Sequence, residues 1–92
     1  MTDTDHVTNA FNRIAEEVQD FGVPNLDDYM PIEKHELRQD TYDLRFACWT
    51  VEQKTFDHAR SILSDFQMEL IRWVAYPVNQ HEMLVKLRII LR

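Results

Sequence analysis

"HEMLVKLRIILR", residues 81–92, decides the reading of this chain. Met83, Val85, Leu87, Ile89 and Leu91 share one parity, and Glu82, Leu84, Lys86, Arg88, Ile90 and Arg92 share the other. Side chains alternate across a strand, so a period of two places one set in a core and the other outside it. The first set is purely apolar. The second mixes three cations with Leu84 and Ile90, which is an unusual content for a solvated face.

Two neighbours keep the same rhythm. "YDLRFACWTV", 42–51, is rich in aromatic and β-favouring residues, with Tyr42, Leu44, Phe46 and Cys48 on one side and Asp43, Arg45, Ala47, Trp49 and Val51 on the other. "MELIRWVAYPVN", 68–79, read as a strand, sets Ile71, Trp73 and Ala75 against Leu70, Arg72, Val74 and Tyr76. Pro77–Gln80 then turns the chain into the closing strand.

Helical segments separate these strands. Val7, Phe11, Ile14, Val18 and Phe21 recur at i, i+4, i+7, i+11 and i+14, which predicts an amphipathic helix from about Asp5 to Phe21. Thr4 or Asp5 can cap it, and Gly22 stands where a left-handed C′ residue is wanted, with Pro24 beyond. Phe56, Ala59, Leu63 and Phe66 mark a second helix over 55–66, capped by Thr55. Between them, 23–31 is a connector whose Leu26 and Tyr29 are expected to tuck against the core. Residues 32–39 suit either a short helix behind Pro31 or a polar edge strand.

The sequence therefore predicts an α+β domain spanning 1–92, with two helices on one face of a three- to four-stranded antiparallel sheet, in the order α-(β)-β-α-β-β. The rival is an all-α bundle. Phe56, Ala59, Leu63, Phe66, Leu70 and Trp73 also keep helical spacing, so one helix over 55–75 ending before Pro77 fits them. Asn79 with Glu82 would then cap a last helix, and a single glycine is few for a protein of hairpins. The density of Ile, Trp, Val and Tyr in 70–78 and the alternation of 83–91 favour strands.

Composition bounds the function. The net charge of −6 disfavours non-specific binding to nucleic acid or anionic membrane. Charge is uneven: residues 1–46 carry eleven acids and four bases, net −7, and residues 47–92 five acids and six bases, net +1. The acidic half reads as a solvated face rather than a docking surface. The single cysteine rules out an internal disulfide and fits a reducing compartment. The acidic, polar start "MTDTDHVTN" is unlike a signal peptide, and no apolar run reaches the roughly eighteen residues of a membrane span. A cytoplasmic protein without a membrane role is expected.

Chemistry finds little purchase. His6, His35, His58 and His81 are scattered and lack metal-ligand spacing, so no metal or cofactor is expected. His35-Glu36, Asp57-His58 and His81-Glu82 pair an acid with an imidazole, but adjacent side chains diverge on a strand or helix and make poor dyads. Cys48 lies among apolar residues without a base beside it, and Ser61 and Ser64 lack an elbow or phosphate-loop context. No catalytic residue is assigned.

The outward sheet face carries the functional expectation. Arg45, Trp49, Leu70, Arg72, Val74, Tyr76, Leu84, Lys86, Arg88 and Ile90 form a candidate interface, since aromatic and Arg side chains beside aliphatics are what interfaces enrich. The expected function is a non-catalytic protein-binding or regulatory module, acting as a homodimer or complex subunit, in the manner of a phage-type inhibitor. The alternative is single-stranded RNA or DNA stacking on Trp49 and Tyr76 with Arg45, Arg72, Lys86 and Arg88 on phosphates. A small enzyme is the third reading.

Overall fold

The computed structural model describes residues 3–24, 30–50 and 52–92. Leu26, Tyr29 and Val51, which the sequence assigns to core or strand, lie outside them. Helix α1 (Asp3–Glu17) carries Asp3 and Asp5 in its first turn, where carboxylates meet the positive end of the helix dipole. Val7, Ala10, Phe11 and Ile14 form its buried stripe. The helix ends one turn before the predicted Phe21. Val18 N–H still donates to the Ile14 carbonyl (2.9 Å), and Phe21 N–H then donates to Val18 (3.1 Å) and closes a turn.

Phe21–Gly22 forms a short strand, β1, which the sequence reading did not contain. Gly22 is consequently not a left-handed helix cap. Its φ is not positive, and a Cβ added there would meet only the Ala47 carbonyl oxygen, at an ordinary 3.8 Å. Ile32–Lys34 is β2, so the polar edge-strand reading holds and the short helix does not. β3 (Thr41–Cys48), α2 (Gln53–Asp65), β4 (Met68–Pro77) and β5 (Met83–Leu91) follow. Glu52 occupies the α2 N-cap without a side-chain bond. Thr55, expected as that cap, sits one turn inside and donates its hydroxyl to Asp20 Oδ2 (3.2 Å), tying α2 to the end of the α1 turn.

The five strands make one antiparallel sheet in the order β1-β3-β5-β4, with β2 sharing the β1 edge of β3. β3 and β4 both run antiparallel to β5, so they are parallel to each other with β5 inserted between them. The all-α alternative is excluded: α2 stops at Asp65, Gln67 takes φ 60°, and the chain reverses into β4. Pro77–Glu82 turns without glycine. Val78 and Asn79 N–H both donate to the Glu82 carbonyl, and His81 N–H donates to Asn79 Oδ1 (2.8 Å).

Both helices cover one face. Tyr42, Leu44, Phe46 and Cys48 from β3 and Val85, Leu87 and Ile89 from β5 bury against them, as the alternation predicts. Aromatic rings bridge the layers. Phe11 and Phe21 stack on Phe46 at 4.5 and 5.1 Å, and Phe56 stacks on Trp73 at 3.8 Å.

One strand breaks the rule that parity predicts. The β4–β5 register slips between Leu70 and Arg72, a β-bulge at Ile71. Met68 and Leu70 therefore face the core, and so do Trp73 and Ala75 beyond the bulge. Leu70, expected on the outward face, is 6% exposed and packs inward. The extra residue resets the alternation of side chains along the strand.

Candidate outer-face interface

The face away from the helices is built in cross-strand rows. Thr41, Ile90 and Glu69 form the first, and Glu33, Asp43, Arg88 and Arg72 the second. Arg45, Lys86 and Val74 form the third, and Gly22, Ala47, Leu84 and Tyr76 the fourth. Nine of the ten residues assigned to the interface thus lie on this face or, for Trp49, follow β3 on its outward parity. Leu70 is the exception.

These residues are not equivalent. Arg88 is committed internally: Nε donates to Asp43 Oδ1 at 3.0 Å and Nη2 to Oδ2 at 3.3 Å. That carboxylate, by hydrogen bonding and then by charge, raises the guanidinium further above its ordinary value. Arg45 is committed too, with Nη1 2.9 Å from Glu33 Oε2 and donating to the Met30 carbonyl at 3.1 Å. Its side chain is only 14% exposed. Arg72 and Lys86, by contrast, have no acidic partner among the described residues.

Arg72, Val74, Lys86 and Arg88 line a pocket of about 120 Å³. It is far smaller than the roughly 300–1,000 Å³ of small-molecule sites, and its size suits the end of one side chain. Arg72 stands directly opposite Arg88 in the register. Like charges directly opposed across a ladder are destabilising by up to about 1 kcal/mol, so the arrangement opposes stability. The register row next to the pocket is apolar. Leu84 is 1% exposed yet belongs to no part of the main core; its register neighbours are Ala47 and Tyr76. Tyr76 stays 38% exposed and Trp49 70% exposed.

Elsewhere the chemistry is sparse. Among the described residues no three His, Cys, Asp or Glu side chains gather as a metal site. None of the adjacent acid–imidazole pairs forms an imidazole–carboxylate hydrogen bond. His35 Nδ1 accepts from Leu37 N–H at 3.1 Å, and the histidine that does reach across the fold is His6, with Nε2 2.6 Å from the Phe66 carbonyl. Cys48 is a buried free thiol; burial, and secondly the charge of Asp20, push it above its ordinary value, which makes it a poor nucleophile. No described helix is long and apolar enough to cross a membrane.

Alternation in 83–91 was enough to find Lys86, Arg88, Leu84 and Ile90. The acids that share their face, Glu33, Asp43 and Glu69, were not assigned to it together, because β2 was ambiguous and the bulge hid the Glu69 row. No protein-family model, curated protein or solved structure matches this chain.

Proposed function

We propose that this protein is a non-catalytic binding module that docks another protein on the outer face of its sheet, as a regulatory subunit or phage-type inhibitor. The observation that supports this most is the pair of cations Arg72 and Lys86, without an acidic partner among the described residues, beside the exposed Tyr76 on the sheet face turned away from both described helices. A homodimer is the weaker form of the proposal. Two copies packed face to face about a twofold axis through this patch would bring Arg72 and Lys86 of each against those of the other, and like charges across an interface cost several kcal/mol. A buried, free Cys48 suits the reducing cytoplasm in which we place the protein.

The test is affinity purification from the source cells with three forms of the chain: wild type, Arg72→Glu/Lys86→Glu, and Arg60→Glu on the opposite, helical side. The proposal requires a protein that the first and third recover and the second loses. Equal recovery by all three, or recovery of nucleic acid in place of protein, refutes it.

A further inference from the structure

Four features of the outer face bear on what kind of surface it meets. The free positive charge is local: two cations unpaired among the described residues and one partly neutralised guanidinium surround a small pocket. Acids bound it on both sides. Glu33 and Asp43 lie across β2 and β3, and Glu69 lies in the neighbouring row, paired with Arg92 at 2.7 Å. A polyanion running through the pocket would meet these carboxylates as soon as it left it. Finally, Tyr76, 38% exposed, is one row from Lys86 and Val74, and same-face rows repeat about every 6.8 Å along a strand.

We infer that the Arg72–Lys86–Arg88 pocket receives a carboxylate from an acidic segment of a protein partner, while an apolar residue beside that carboxylate rests on the exposed ring of Tyr76. This rests on the docking reading above and specifies its partner. A side-chain carboxylate is a single compact anion and matches the pocket's size; it can accept hydrogen bonds from a guanidinium and an ammonium together. A nucleic-acid strand is the poorer match, because it needs a continuous cationic track and here the track is one pocket long. A second copy of this chain would have to offer a different, acid-bearing surface such as α1 to this face, a head-to-tail contact rather than a twofold one.

An amide-resolved NMR titration tests this. The probes are a short peptide alternating Glu and Leu, its Gln-for-Glu analogue, and an oligothymidylate. The expected result is that the Glu peptide shifts the resonances of Arg72, Val74, Lys86 and Arg88 and the Trp49 indole. The Gln analogue should bind at least about fivefold more weakly, the loss of one or two exposed ion pairs. Arg72→Gln/Lys86→Gln should erase the difference between the two peptides, and Arg38→Gln, which removes a free cation elsewhere, should leave it intact. Equal binding of the two peptides on this face overturns the acidic partner but leaves the docking reading standing. Shifts confined to other faces, or none, overturn both. Tighter binding of the oligothymidylate overturns the inference in favour of nucleic acid, and concentration-dependent dimerisation of the chain alone through these residues overturns it in favour of a second copy.

Discussion

Arg88→Met leaves the Asp43 carboxylate in place and removes the fork that holds it. The two ends of this pair differ in exposure: the Asp43 side chain is 10% exposed and that of Arg88 30%. Deleting one partner of a fully buried pair costs about 3–5 kcal/mol, because the survivor is a buried, uncompensated charge. Fully exposed pairs are worth about 0–1 kcal/mol. Here the stranded group is the sealed one, but water reaches it through the space that Arg88 vacates, so we expect a loss of about 2–3 kcal/mol. For a domain of this size that lowers Tm by about 10–20 °C. Urea titrations followed by circular dichroism measure it directly, and a double-mutant cycle isolates the pair. Asp43→Val alone should also destabilise, while Asp43→Val/Arg88→Met, with neither charge left, should lie within about 1 kcal/mol of the wild type. A loss below about 0.5 kcal/mol in Arg88→Met, or additive single effects, would show the contact to be a solvated surface pair and refute the reasoning.

The remaining predictions concern single positions. Arg72→Glu replaces the like-charge opposition with Arg88 by an attractive pair and should raise stability by about 0.5 kcal/mol in the same assay, even as it abolishes acidic-peptide binding. Leu70→Ala should cost about 2–4 kcal/mol, and Val74→Ala, on the half-buried outward side, less than about 1; the reverse order would remove the bulge at Ile71. Cys48 should resist a thiol-specific disulfide reagent at mildly alkaline pH until the chain unfolds. Because its thiol lies above the ordinary value in the folded state, its contribution to stability is complete at neutral pH and is lost as pH rises beyond the ordinary thiol range. Calorimetry of the wild type against Cys48→Ala from neutral to alkaline pH measures that loss.

Much of this architecture is legible in residue order. The i, i+4, i+7 spacing of Val7, Phe11 and Ile14 and the strict alternation of 83–91 are both consequences of one-sided burial, and one-sided burial is what the structure shows. The misreadings have local causes too. Gly22 resembles a helix stop because glycine is usual there, yet it serves a two-residue strand whose partner, Ala47, lies far along the chain. The bulge at Ile71 leaves no mark in "ELIRW", since a parity change is set by which residues the neighbouring strand and α2 will accommodate. For the same reason sequence places Lys86 and Arg88 on one face but cannot distinguish them. Arg88 finds Asp43 through the β3–β5 register, a pairing across 45 positions, and Lys86 in the same strand finds no acid among the described residues.

The insertion of β5 between β3 and β4 also bears on biosynthesis. As the chain leaves the ribosome, β3 and β4 emerge first, and neither has a central partner until Met83–Leu91 follows. Until then β3 has only the short β1 and β2 on one side and β4 has no strand partner, so nascent chains stalled before residue 83 would present open, apolar strand edges to chaperones and proteases. Quality control in the cell would then meet both edges in any chain that lacks β5, and the arrival of Met83–Leu91 closes the two together.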